Sequence, residues 1–203
     1  MARKTGAEFP AVVIPMPLLE ERLMLSRQLG GAFGIALGLG ALGLAALYQG
    51  TQERPSTLFG ENPAVFRQLQ HMYGIAWSLH YLGRAALLRD DAERASALLG
   101  ESLRMRRDLD DKAGIAQYLE GMAAVALARQ QPVPAARLFG AAVVLREAID
   151  APHSPAERLA YERDVQLGKS QLDEGPFTTA WATATAMGLE QAAAYALGEA
   201  PNS

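Results

Sequence analysis

The tripeptide Gly34-Ile35-Ala36 returns as Gly74-Ile75-Ala76 and again as Gly114-Ile115-Ala116, two steps of 40 residues. A fixed period of that length belongs to stacked helical arrays, in which each unit buries its apolar face only against its neighbours. The correspondence runs through the unit: Leu39, Leu79 and Leu119 align, as do Gly43, Gly83 and Ala123, then Ala46, Ala86 and Ala126. The second halves repeat as Leu58-Phe59-Gly60, Leu98-Leu99-Gly100 and Leu138-Phe139-Gly140. Polar, turn-forming stretches at Gln49-Gly50-Thr51, Arg89-Asp90-Asp91 and Gln130-Gln131-Pro132 divide the halves, so each unit reads as helix, turn, helix.

The units span 34–73, 74–113 and 114–153, preceded by a leading amphipathic helix from Leu18 to Leu29 with Pro17 in its first turn. Arg27-Gln28-Leu29 matches Arg67-Gln68-Leu69, which makes that helix the second half of a truncated unit, and the repeat region 17–153. Residues 1–16 have no helical period and stay unassigned. Residues 154–203 form a helical cap with a frayed tail. Ser154-Pro155-Ala156-Glu157 predicts a capping-box start for a helix to about Leu172. After a break at Gly175-Pro176, Phe177, Ala180, Trp181 and Ala184 recur at helical spacing, and a last short helix spans Leu189 to Leu197.

Composition agrees with an all-α chain: half of the 203 residues are hydrophobic, 20% are charged, and aromatics make up 7%. A net charge of -3 supplies no basic footprint for direct nucleic-acid binding. With no cysteine there are no disulfides, thiolate metal sites or cysteine nucleophiles, in keeping with a cytoplasmic protein.

One unit departs from its own pattern, because Pro55 and Pro63 stand where the next copy has Ala95 and Leu103. An interior proline costs about 3 kcal/mol. The less strained arrangement restarts the helix with Asn62 as N-cap and Pro63 at its first position, so a split or kinked second helix is expected there.

With the register fixed, Leu79, Leu82, Gly83 and Ala86 followed by Ala95, Leu99 and Ser102 resemble the tetratricopeptide repeat pattern, and Leu119, Met122, Ala123, Ala126, Ala135, Phe139 and Ala142 are similar. The longer unit resembles the repeats at the C-terminal ends of bacterial multidomain ATPase regulators that carry LuxR-type DNA-binding domains. Arg137 to Ala142, Leu145 to Ile149 and Ala180 to Ala192 are similar to their closing segment. The resemblance implies an α-α superhelix acting as the sensor or interaction end of such a regulator. No Gly-x-x-x-x-Gly-Lys-[Ser/Thr] loop is present and no helix-turn-helix is expected after Leu197, so it carries over neither ATPase nor DNA-binding activity.

Candidate chemistry is sparse, and no enzymatic function or cofactor is expected. Gly38-Leu39-Gly40-Ala41-Leu42-Gly43 fits a dinucleotide-binding glycine pattern, but its repeat equivalents keep the leucines and lose most glycines, which places it in mid-helix. These glycines read as local drift. No charge falls between Arg27 and Glu53, enough for the roughly 20 residues of a membrane helix. At the matching depth, however, the second copy carries His80 and Arg84, and a central arginine costs about 2.5–3.5 kcal/mol in a bilayer. Membrane attachment through residues 29–48 is therefore a minor reading. The alternative is an end helix covered by the N-terminal arm, an upstream domain or a second subunit, which leaves room for a homo-oligomer through the N-terminal end. His71, His80 and His153 lack ligand spacing, which argues against a metal site. Arg104, Arg106 and Arg107, offset by Asp108, Asp110 and Asp111, read as a solvated helix end.

In tetratricopeptide stacks the first helices line a concave face that meets an extended or helical peptide. The resemblance maps that face onto Leu37, Leu44 and Tyr48, then Trp77, His80 and Arg84, then Gln117 and Glu120. The expected ligand is a protein segment. A small-molecule effector in the same concavity is the competing expectation.

Overall fold

The structure, a computed structural model, describes residues 15–172, 174–186 and 191. Among these every regular element is an α-helix. The leading helix is α1 (Met16–Gln28), with proline in its first turn. The three units are α2 (Ala32–Tyr48) with α3 (Arg54–Gln68), α4 (Met72–Leu87) with α5 (Ala92–Asp108), and α6 (Lys112–Ala128) with α7 (Pro132–Ala148). Two more helices follow, α8 (Pro155–Gln171) and α9 (Glu174–Thr185). From α1 to α7 each helix packs on its predecessor and successor in the chain, and α2, α4 and α6 also touch one another in turn. The chain is all-α, with the 40-residue period preserved in its helix bounds.

The backbone has a finer period than the side chains. Positive φ recurs every 20 residues, at Gly30, Gly50, Gln70, Asp90, Asp110, Gln130 and Asp150. Each is the left-handed residue of one repeated helix stop, as at Gln130, whose N–H donates to Leu127 while the next N–H, of Gln131, donates to Ala126. These two bonds satisfy carbonyls that the last helical turn leaves open. At Asp90-Asp91 and Asp110-Asp111 the first aspartate turns the chain and the second caps the next helix, accepting from the N–H of Arg94 at 3.0 Å and of Gly114 at 2.9 Å. His71 caps α4 through Nδ1 in the same way.

The recurring glycine of Gly-Ile-Ala has a steric cause. The side chain eight residues earlier, at the end of the preceding helix, lies over it: Ser26 over Gly34, Phe66 over Gly74 and Arg106 over Gly114. A Cβ would strike Phe66 and Arg106 and crowd Ser26 at 3.0 Å. Gly40 and Gly43 are not drift either, since a Cβ there would lie 2.8 Å from the Trp77 ring and 2.7 Å from the Phe59 ring. Thus α2 is apolar and glycine-rich because aromatic rings from α3 and α4 dock into it. At 17 residues, α2 is not long and apolar enough to cross a membrane, nor is any other helix among the described residues.

Further expectations are corrected. The helix does not split at Asn62-Pro63, because α3 runs unbroken from Arg54 to Gln68 with Pro63 inside. Pro55 falls in the first turn, where its missing N–H costs nothing. Pro63 is buried between Phe59 and Phe66, which are 0% and 4% exposed, so packing outweighs the local penalty. Arg106 is not at a solvated helix end; it is 4% exposed and donates to Ser102, Asp111 and Gln117. The break foreseen at Gly175-Pro176 lies inside the first turn of α9. The helix expected at 189–197 and most of the N-terminal arm lie outside the described residues.

Candidate functional site: a helix seated on the first-helix face

The helix α8 begins with the expected capping box: the Ser154 hydroxyl accepts from the Glu157 N–H, and the Glu157 carboxylate accepts from the Ser154 N–H. It does not continue the array. It lies across α6 and α7 and reaches α4, while α9 packs on α7 through Phe177, Ala180 and Ala184, all buried. The face expected to receive a helical peptide therefore holds a helix of the chain itself.

That contact is polar. Asp164, 7% exposed, accepts from Arg84 of α4 at 2.6 Å and from Arg163 at 3.2 Å. Seven residues and about two turns earlier on the same side of α8, Glu157 accepts from Gln117 of α6 at 2.5 Å and from the Tyr81 hydroxyl at 3.5 Å. Glu120 of α6 is gripped by Arg146 of α7 at 2.6 Å and by Nε2 of His153 at 2.8 Å. Arg146, the repeat equivalent of Arg106, also donates to the Ala151 carbonyl at 3.1 Å and so ties down the 149–154 connection.

The electrostatics follow from burial and pairing. Burial opposes the charge on Arg84, but Asp164, with Glu120 behind it, more than restores it. Burial likewise opposes ionisation of Glu157, yet hydrogen bonds from Ser154 and Gln117 and the charge of Arg146 hold its carboxyl below the usual glutamate value. His80 goes the other way: burial first, then Arg106, Arg84 and Arg146, push it well below the ordinary histidine value, so it is neutral at pH 7.

A cavity of about 490 Å³ remains between α8 and the repeats. Where Tyr81 and Arg84 of α4 and the following Leu88 stand, the equivalent positions beside the cavity in the next unit are Gly121, Ala124 and Ala128, and Ala160 of α8 borders the same space. Nδ1 of His80, which borders the cavity, has no hydrogen-bond partner.

Five of the eight sequence-predicted residues meet here: Tyr48, His80, Arg84, Gln117 and Glu120 all border the cavity. Leu37, 41% exposed, and the half-buried Leu44 do not. Trp77 does not border it either; its ring is wedged between α2 and α3, 5.6 Å from Phe59 and 4.7 Å from Tyr81. The sequence reading missed Tyr81, Arg106, Arg146, His153, Glu157 and Asp164. The carboxylates at 157 and 164 on one side of the helix after the repeats were the available signal. Among the described residues no group of three or more His, Asp or Glu side chains could hold a metal. No family model matches the chain, and no curated protein matches it.

Proposed function

We propose that this protein is a non-enzymatic, tetratricopeptide-like scaffold that binds a protein segment on its first-helix face, as the sensor or interaction part of a bacterial signalling or transcriptional regulator in the cytoplasm. The observation that carries the proposal is the seating of α8: the face made by α4 and α6 accepts a helix through Arg84 and Gln117, two residues expected to contact a ligand. The α-α superhelix is supported by the 40-residue period, by the identical helix stops every 20 residues and by sequential packing.

A small-molecule effector is the second reading, favoured by the 490 Å³ cavity, which falls within the usual size of ligand sites, and by the unpartnered Nδ1 of His80 beside it. Affinity capture with quantitative mass spectrometry, comparing wild type with Gln117→Ala/Arg84→Gln, tests the scaffold. The expected result is one or more proteins retained by wild type and depleted by the variant. Equal retention by both chains, together with thermal stabilisation of wild type by a metabolite panel, would transfer the proposal to the effector reading.

A further inference from the structure

The attachment of α8 is unlike that of the other helices. Its buried described side-chain positions are Asp164 and Gly168 alone, while Leu159 and Leu167 are 69% and 47% exposed. Its apolar anchorage is limited to the partly buried Tyr161, edge-on 5.5 Å from Phe139, and Val165, and the rest of its attachment is by charge-assisted hydrogen bonds. Its fit is incomplete, because Ala160, Gly121 and Ala124 border the same unfilled space. Its C-terminal end is pinned where the Phe177 ring of α9 covers Gly168, and its N-terminal end follows a six-residue connection, 149–154. It is therefore hinged on an apolar contact at one end and held by polar contacts at the other.

The geometry points to the α4–α6 face as the docking surface for a partner protein's helix that presents two carboxylates seven residues apart, with α8 occupying that face in the free chain. Charge complementarity fixes the partner's chemistry: Arg84 takes the second carboxylate, and Gln117, backed by Arg106 and Arg146, takes the first. The cavity that Ala160 borders favours a partner with a larger side chain at that position. Because α9 is locked on α7 by Phe177 and Ala184, α8 cannot readily be lent to a second copy, which singles out a different protein as the occupant. This inference rests on the scaffold reading and names its ligand class.

The test uses a fluorescent peptide of residues 154–172 as the probe, titrated against the full-length chain at low salt. Asp164→Lys places a cation against Arg84 and lifts α8. Because a covered site binds in proportion to its open fraction, the peptide is expected to bind this variant about tenfold or more tighter than wild type. Peptide carrying Glu157→Gln and Asp164→Asn should lose that binding, and peptide carrying Ala160→Met should gain several-fold. Equal affinity for both chains, indifference to the two carboxylates, or a wild-type dimer that exchanges α8 would overturn the inference. If Asp164→Lys does not fold, hydrogen exchange on wild type decides: α8 amides should exchange before those of α6 and α7 and faster with added salt, and α8 exchange only through global unfolding overturns it. Peptide failure alongside successful capture rejects this surface and spares the scaffold reading. Peptide success with no captured protein rejects the scaffold reading and leaves α8 as an intramolecular strap.

Discussion

Replacing Gly43 with alanine separates a docking notch from a neutral glycine, and Gly100→Ala supplies the control. Both glycines are interior to helices, where alanine is favoured by about 1 kcal/mol. A Cβ at Gly100 meets nothing within 4 Å, so Gly100→Ala should stabilise the chain by about 0.5–1 kcal/mol. A Cβ at Gly43 would lie 2.7, 2.8 and 2.9 Å from three carbons of the Phe59 ring. That ring has nowhere to go: it is fully buried, stacked 5.4 Å from Tyr81 and edge-on 5.6 Å from Trp77. Overpacking of this kind costs about 1–3 kcal/mol, and subtracting the propensity gain of about 1 kcal/mol leaves a net loss of up to about 2 kcal/mol. Urea unfolding followed by far-UV circular dichroism measures both. With unchanged m-values, the midpoints should move in opposite directions. A Gly43→Ala variant as stable as wild type, or more so, would refute the claim that α2 is glycine-rich to receive aromatic rings.

Three further outcomes are expected. Removing one partner of a buried ion pair costs about 3–5 kcal/mol, so Asp164→Asn should weaken the chain strongly, though by less than that range because Glu120 still faces Arg84. The Arg84→Met/Asp164→Leu double variant should return to within about 1 kcal/mol of wild type, and a double variant as weak as the sum of the singles would contradict the pairing. His80 is neutral when folded, whereas in the unfolded chain it takes up a proton near its ordinary value of 6.5, so the unfolded state binds more protons and stability falls as pH drops below that value. Glu157 adds a second loss below its ordinary value of 4.5, and His80→Gln should abolish only the first step, as read from thermal midpoints across the acid range. Finally, Gln130 holds φ at 57°, so Gln130→Gly should stabilise the chain by about 0.5 kcal/mol once the extra freedom of glycine in the unfolded state is counted, and a loss in urea midpoint would argue against strain there.

The period was legible because Leu39, Leu79 and Leu119 meet the same kind of neighbour in every copy. The 20-residue sub-period was not, because one backbone state is held by Gly30, Gln70 and Asp90, which share no side-chain chemistry. Position 66, 106 and 146 likewise changes from Phe to Arg at the junction with the next segment, so Arg106 read as part of a solvated helix end. Pro63 misled because local cost was weighed without the core formed by Phe59 and Phe66. For the site, the face was legible from the repeat register, but its occupant was not: Arg84 and Asp164 pair across 80 residues, and no periodic pattern encodes that contact. Trp77 fell on the ligand face by register alone, because the notch at Gly40 that receives it appears only in the packed structure.

The absence of cysteine makes the central claim directly measurable, since two introduced cysteines can be spin-labelled without background. Labels at exposed Leu159 on α8 and Leu37 on α2 report whether α8 rests on the first-helix face. Wild type should give a single narrow distance distribution. Asp164→Lys should add a longer, broad population, and raising the salt concentration should shift wild type in the same direction. One distribution, unchanged by Asp164→Lys and by salt in a folded chain, would contradict a charge-held helix on an open binding face.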